Sequence, residues 1–142
     1  MNQRRGSINI LFLLTPKAVC AHVRAEDTIR QALERMESTG YAALPILAKD
    51  GSYCGTLTEG DLLWAIKNLC LMEPKSMENH SIMEISHRRD NVPVHVDTKV
   101  EDILSTALEQ NFVPVVDDRN MFIGIITRSA LMKYCLNQIL AK

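Results

Sequence analysis

The chain has 142 residues and a mass of 16.0 kDa, which is enough for one compact domain or for two small halves that share a core. Hydrophobic residues make up 46% and charged residues 23%, which excludes wholesale disorder, and a net charge of −1 argues against a protein that neutralises phosphates along a nucleic-acid duplex. The longest apolar run near the start, residues 10–14, is far shorter than the roughly 20 residues that cross a bilayer, so we expect a cytoplasmic protein without a membrane partner.

The first third of the chain predicts a strand, a helix and the end of that helix. Residues 19–23 have the pattern of a short strand. Thr28 and Gln31 have the spacing of a capping box, so a helix is expected to begin after Thr28 and to end at Gly40. Its apolar positions recur at i, i+3, i+4 and i+7, and they are Ile29, Ala32, Leu33 and Met36.

Two strands and a second helix complete this first unit. Residues 42–47 and 53–58 have strand composition and are joined by an Asp50-Gly51 turn. A helix over 61–70 is expected to point four side chains inward: Leu62, Ile66, Leu69 and Cys70. A short helical turn near residues 82–85 is expected to lead into the second half.

The second half predicts the same elements again. Thr98 and Glu101 have the spacing of a capping box, and the following helix has an apolar stripe. Strands are predicted over 112–116 and 121–126, and a last helix follows. The stripe comprises Val100, Ile103, Leu104, Ala107 and Leu108, and the inward positions of the last helix are Leu131, Met132, Cys135, Leu136 and Ile139.

The two halves are copies of one plan. The segment Leu-Pro-Ile-Leu at 44–47 matches Val-Pro-Val-Val at 113–116, and Gly-Thr-Leu-Thr at 55–58 matches Gly-Ile-Ile-Thr at 124–127, both at an offset of 69 residues. A unit of about 50 residues buries too little surface to be stable alone, so the two must share a core. We therefore predict an α/β fold of two β-α-β-β-α repeats packed sheet to sheet with pseudo-two-fold symmetry and two clefts. The predicted parts are an N-terminal segment 1–13, repeats 14–71 and 82–142, and a connector 72–81.

These motifs resemble a CBS domain, and two copies resemble a CBS pair, or Bateman module. The resemblance rests on a hydrophobic-Pro-hydrophobic strand followed by Gly-x-hydrophobic-Thr-x-x-Asp, and it covers roughly residues 14–140. The segments 21–23, 39–45 and 126–128 are similar to small stand-alone CBS-pair proteins of Gram-positive bacteria, some of which bind cyclic di-AMP. Members of the family bind adenine nucleotides between the repeats and usually dimerise.

The resemblance implies roles for individual residues. Gly55 and Gly124 would let the backbone approach a ligand, Thr58 and Thr127 would contact phosphate, and Asp61 would bond the ribose hydroxyls. Ala130 stands where a second Asp is expected, so the clefts should be unequal. Arg128 would meet phosphate, although Ser129 replaces a second basic residue. The implied adenine pocket comprises Cys20, Ala21, His22, Val23, Tyr41, Ala42, Ala43, Pro45, Val94, His95, Phe112, Val113 and Pro114.

The residues themselves leave two interpretations of these helix starts open. Free N–H groups and the positive end of the dipole at a helix N-terminus suit phosphate. Thr58 with Asp61 three residues later is also an ordinary capping pair, and the two roles are compatible. Arg128 is otherwise an exposed cation in the first turn of a helix, and Arg88-Arg89 is interpreted as a solvated corner.

The sequence contains no pattern typical of an enzyme. The four histidines lack the spacing of a metal site, no nucleophile–base pair stands on the motif segments, and the four cysteines are interpreted as reduced core thiols. The leading hypothesis is a non-enzymatic ligand sensor without a cofactor that binds AMP, ADP, ATP or cyclic di-AMP, forms a homodimer and signals to an unidentified effector protein. The alternative is a structural homodimerisation module with non-functional clefts.

Overall fold

The computed structural model describes residues 9–85 and 91–141, and in them it shows five α-helices and two β-sheets. None of these helices is both long and apolar enough to span a membrane. The strands are β1 (Thr15–Pro16), β2 (Val23–Arg24), β3 (Ala43–Leu47), β4 (Tyr53–Thr58), β5 (Val94–His95), β6 (Phe112–Val116) and β7 (Phe122–Thr127). The helices are α1 (Ile29–Thr39), α2 (Glu59–Asn68), α3 (Pro74–Met77), α4 (Val100–Ala107) and α5 (Arg128–Leu140).

One compact unit comprises residues 21–90 and contains the sheet β2-β3-β4. Strand β2 runs parallel to β3, and β3 runs antiparallel to β4. The connector belongs to this unit, because the N–H of Ile29 donates to the carbonyl of His80 and the N–H of Ile82 donates to that of Asp27. The core is apolar, and its fully buried members are Val23, Ile29, Ala32, Leu57 and Ile82.

The other unit comprises residues 91–142 together with residues 1–20. Its sheet has the order β1-β7-β6-β5, so β6 and β5 repeat the pairing of β3 and β2. Strand β1, at the start of the predicted first repeat, is an addition to this sheet and pairs antiparallel with β7, with Thr15 opposite Ile125. The buried core contains Ile10, Val100, Ile103, Val113, Val115, Ile126 and Leu131.

The predicted start and end of helix α1 are confirmed. Thr28 Oγ1 accepts from the N–H of Gln31, and the Gln31 side chain accepts from the N–H of Thr28. Gly40 ends the helix in the left-handed conformation at φ 75°, where a residue with a side chain is strained. The predicted strands 53–58 and 112–116 have the observed bounds.

The first strand of the first repeat and one helix start differ from the prediction. Residues 19–23 do not form one strand: a 3-10 turn covers Lys17–Val19, and only Val23–Arg24 pair as strand β2. After β2 the Asp27 carboxylate accepts from the N–H of Arg24. The predicted Thr98 box is also wrong. Helix α4 begins one residue later, after Lys99, whose side chain caps nothing, so Thr98 lies outside it.

On three helices, some of the residues predicted to face inward are exposed. Helix α2 ends at Asn68, and the nearby Leu69 and Cys70 are exposed. On α4 and α5 the positions closest to the sheet are buried, whereas their apolar neighbours face out. The exposed positions are Leu108, Met132, Leu136 and Ile139, with Cys135 half-buried.

Candidate functional site

Reciprocal hydrogen bonds between Thr58 and Asp61 close the start of α2. Thr58 Oγ1 accepts from the N–H of Asp61 at 3.1 Å, and Asp61 Oδ2 accepts from the N–H of Thr58 at 2.9 Å. Asp61 is only 5% exposed. A hydroxyl that accepts through a lone pair keeps its O–H for a second partner, so the capping role of Thr58 is compatible with a contact to phosphate.

The start of α5 also has a threonine cap, but the charged residues around it differ from those at the start of α2. Thr127 Oγ1 accepts from the N–H of Ala130 at 3.1 Å, but the methyl side chain of Ala130 has no acceptor to return the bond. The first turn of α2 carries Glu59 and Asp61, whereas the first turn of α5 carries no acidic residue. The positive end of the helix dipole is therefore unopposed by carboxylates at α5, which makes it the more favourable of the two starts for an anion.

Arg128 is not merely an exposed first-turn cation. Its Nε donates to the carbonyl of Ala107 at 2.9 Å, and its Nη2 donates to the carbonyl of Leu108 at 3.3 Å. These carbonyls end α4, where the helix dipole is negative, so the guanidinium that disfavours the start of α5 stabilises the end of α4.

The two predicted glycines lie at matching places in their sheets. Gly55 pairs with Ile46 and Gly124 with Val115, in each case beside an irregularity in the strand register. Gly124 has φ +155°, and a Cβ there would lie 2.3 Å from the Thr15 carbonyl oxygen. The close approach that requires glycine at position 124 is thus that of β1.

The residues predicted to surround adenine lie on strands and at helix–strand junctions. Many of them are part of the sheets, so they would offer backbone or small surfaces to a ligand. Cys20, Val23, Pro45, Phe112, Val113 and Pro114 are buried, Ala21, His22, Ala43, Val94 and His95 are half-buried, and Tyr41 and Ala42 are exposed.

His95 is held by two neighbours. Its Nε2 lies 2.6 Å from Asp118 Oδ1, and its Nδ1 accepts from the N–H of Asp97 at 3.3 Å. An imidazole with Nε2–H and an unprotonated Nδ1 satisfies both bonds. This side chain therefore ties β5 to the turn after β6.

An apolar surface formed by α4 and α5 was missed by the sequence analysis. Leu108 is 80% exposed, Met132 70% and Ile139 68%. With Leu104 and Leu136 they line an open groove of about 860 Å³, whose lining also contains Arg128 and Lys133 but no acidic residue. The available signal was that the apolar residues of α5 are not confined to one face, which is typical of a helix that is covered on more than one side. We call these residues the α4–α5 surface.

The cysteines do not form a reactive centre. None of the four cysteines forms a disulfide, and only Cys20 is a core thiol, because Cys54 and Cys70 are exposed and Cys135 is half-buried. Burial raises the pKa of the Cys20 thiol to about 11, which keeps it protonated and unreactive near neutral pH. Among residues 9–85 and 91–141, no three His, Cys, Asp or Glu side chains are grouped to hold a metal ion. Arg88-Arg89 lies outside the described residues.

Known proteins share this architecture. The chain is 25% identical over 113 residues to Cyclic di-AMP receptor B of Bacillus subtilis, covering 80% of this chain and 76% of the receptor. The CbpB protein of Listeria monocytogenes, solved in complex with c-di-AMP, superposes with a TM-score of 0.80 at 24% identity over 95% of this chain and 100% of that one. CBSX2, solved with AMP, gives 0.72 at 22% identity over 94% and 99%.

The family model of the CBS domain matches twice, at residues 14–68 and 82–137. The two matches contain the capped helix starts at Thr58 and Thr127 and together span most of the chain. With two copies of the same fold and two copies of the same motif, the chain belongs to the CBS domain family as a tandem CBS pair.

Proposed function

We propose that this chain is a non-enzymatic regulatory protein that binds an adenine-containing nucleotide, namely AMP, ADP, ATP or cyclic di-AMP, and signals its occupancy to a partner protein. The observation that carries the proposal is the pair of equivalent capped helix starts at Thr58 and Thr127, each following a strand and each with a hydroxyl proton to donate. Its four cysteines form no disulfide, which suits the reducing cytoplasm, where we place the protein.

The two helix starts differ in the part of a nucleotide that each could bind. Asp61 is a carboxylate beside a helix start and would accept hydrogen bonds from ribose hydroxyls, whereas it would repel a phosphate. The start of α5, with Thr127, Arg128 and no acid in the first turn, would take the phosphate. The remaining predicted residues of the strands would supply the walls against the adenine.

Relatives support this ligand class. Cyclic di-AMP receptor B of Bacillus subtilis is named for its ligand, and the structural neighbours were solved with c-di-AMP and with AMP. A cyclic dinucleotide needs two phosphate contacts, and Arg128 with Ser129 supplies one cation where two are expected. We therefore propose AMP, ADP and ATP as candidate ligands in addition to cyclic di-AMP.

We also propose a homodimer that forms through the α4–α5 surface. Exposed apolar side chains at i, i+4 and i+7 of one helix, as at Met132, Leu136 and Ile139, form a continuous stripe that a second copy can cover. A two-fold axis across such a stripe places equivalent apolar residues opposite each other. The α4–α5 surface would then be buried in the dimer.

Calorimetric titration of the full chain with AMP, ADP, ATP, cyclic di-AMP and S-adenosylmethionine tests the nucleotide proposal. We expect heat from at least one adenine nucleotide and, for Asp61→Asn, a binding constant at least about tenfold weaker, because a hydrogen bond to a charged group contributes about 1.5–3 kcal/mol. The amide oxygen of asparagine can still accept from the N–H of Thr58, and Thr58 still caps α2, so folding is preserved. Glu59→Gln, in the same turn, is the matched control. No heat with any of these nucleotides would refute the proposal.

A specific observation favours the structural alternative, a dimerisation module with non-functional clefts. Ala130 cannot hold ribose, and Arg128 already has partners at the end of α4. This alternative predicts that neither Asp61→Asn nor any nucleotide changes the thermal midpoint, while dimerisation persists. The calorimetric titration therefore separates the two functions.

A further inference from the structure

We propose that Arg128 couples nucleotide binding to the end of α4: one edge of its guanidinium stays on the carbonyls of Ala107 and Leu108, and the other holds a phosphate of the ligand. This inference rests on the proposed function, which puts a phosphate at the start of α5. It adds a route by which occupancy changes a different part of the same unit.

The guanidinium has donors for both tasks. The carbonyls of Ala107 and Leu108 use the Nε–H and one N–H of Nη2. An arginine side chain has five N–H donors in one rigid plane, so three remain, two on Nη1 and one on Nη2; the N–H of Nη2 and one of those on Nη1 form the edge that suits the paired oxygens of a phosphate. Because the plane is rigid, the bonds to α4 also set the direction of the free edge.

Helix α4 has little else to hold its ends. It has only 8 residues, and its N-cap Lys99 makes no side-chain hydrogen bond. Its C-cap Leu108 is right-handed, whereas α1 has a capping box and Gly40. A short helix without caps is marginal, so a change in the hydrogen bonds of Arg128 has a large effect on its last turn.

The end of α4 is also part of the α4–α5 surface. Leu104, Ala107 and Leu108 line the groove together with Arg128 itself. A phosphate that restrains Arg128 would therefore order the residues that a second copy must pack against. Nucleotide binding would strengthen self-association, and by linkage the dimer would bind the nucleotide more tightly by the same factor.

Hydrogen exchange of the full chain, read by mass spectrometry with and without saturating AMP or cyclic di-AMP, tests this coupling. We expect the nucleotide to slow exchange of the amides at 107–111 about fivefold or more, the change that one added hydrogen bond produces. Arg128→Lys keeps the charge but has no planar fork, so it should bind the nucleotide more weakly and show no slowing at saturation. Arg119→Lys, in the turn after β6, is the matched control, and the amides of α3 are the internal reference.

The outcomes separate the two proposals. Binding without slower exchange at 107–111, or equal slowing in Arg128→Lys, would overturn the coupling and leave the nucleotide proposal standing. Absence of binding by every nucleotide in the calorimetric titration would overturn both. In the free protein Arg128→Lys should already exchange faster at 107–111 than the wild type, and an unchanged rate there would also contradict the coupling.

Discussion

The two repeats share their strands and differ in how their helices begin and end. Strands β3 and β4 match β6 and β7 at an offset of 69, but α4 begins 71 residues after α1, so the second repeat reaches its middle strand two residues sooner. Helices α1 and α2 have capping boxes, whereas α4 has none and α5 has half of one. The comparison teaches that strand pairing keeps the spacing of the strands the same in both repeats. The residues at the helix starts are not constrained in this way, and the two repeats differ in charge there.

The largest expected effect is on stability, and it comes from substituting one of the two equivalent glycines, Gly124. Gly124→Ala puts a Cβ 2.3 Å from the Thr15 carbonyl and 2.9 Å from Leu14 Cδ1, at a φ that alanine rarely adopts. Since backbone must move and β1 must separate from β7, we expect a loss of roughly 2–4 kcal/mol in the free energy of unfolding.

Urea unfolding followed by circular dichroism measures this loss. Gly60→Ala is the control, because a Cβ there is 3.7 Å from Thr58 Oγ1 and the helical conformation suits alanine. Trp64, the one tryptophan, lies in the unit of residues 21–90, so its fluorescence reports whether the first unit unfolds separately. Equal stability of Gly124→Ala and the wild type would show that β1 does not depend on the glycine.

A second prediction compares equivalent positions on α2 and α5. Met132 corresponds to Leu63 at the offset of 69, and they are 70% and 62% exposed. Met132→Glu places a charge on the α4–α5 surface and should weaken self-association at least about tenfold, or 1.4 kcal/mol, because the charge would be buried in the dimer. Leu63→Glu should leave association unchanged.

Sedimentation equilibrium of both variants checks this prediction. Exposed substitutions change monomer stability by about 0.5 kcal/mol or less, so circular dichroism at low concentration should show both variants folded. A monomeric wild type would contradict the homodimer itself. Equal weakening by Leu63→Glu would contradict the assignment of the interface to the second repeat.

The smallest effect concerns the turns between the paired strands. Hydrogen bonds from Ser52 hold the pKa of Asp50 below its usual range, and those from the backbone of Met121 and Arg119 do the same for Asp117. A carboxyl with a lowered pKa in the folded state stabilises the protein above its unfolded pKa, and this contribution is lost as pH falls through the folded value. Stability should therefore decline from about pH 4 downward.

Asparagine at either position keeps an acceptor but removes the titration. Asp50→Asn and Asp117→Asn should each lose less stability than the wild type between pH 5 and pH 3, measured as the shift in the urea midpoint. Glu37→Gln, on the exposed side of α1, is the control. An acid response as steep as that of the wild type in both variants would show that the turns contribute nothing to it.

Local signals predicted much of the fold. The Thr28 box, Gly40 and the two proline-containing strands depend on neighbours a few residues away, and the structure confirms them. The exposed stripe of α5 was predicted as core because apolar periodicity does not say which of two apolar faces meets the sheet. The bond of Arg128 to α4 joins residues 21 apart, which no local pattern contains.

The helix caps at the candidate site could also be predicted from local signals, whereas the ligand roles of these residues stay a prediction. Thr58, Asp61 and Thr127 stand where their spacing put them, because a helix start is a local feature. The spacing of the motif did not show that other parts of the folded chain also contact these residues. The Thr58 partner of Asp61 lies within the motif, but Gly124 is approached by β1 and Arg128 is bonded to the end of α4, and these two partners come from the folded chain rather than from the motif.

Strand β1 has a consequence for synthesis on the ribosome. It precedes its partner β7 by more than 100 residues, and the entire unit 21–90 is translated between them. Strand β1 therefore cannot pair before β7 has been made, and the unit 21–90 can fold in the meantime. The edge of β7 is covered only when this late, long-range pairing forms.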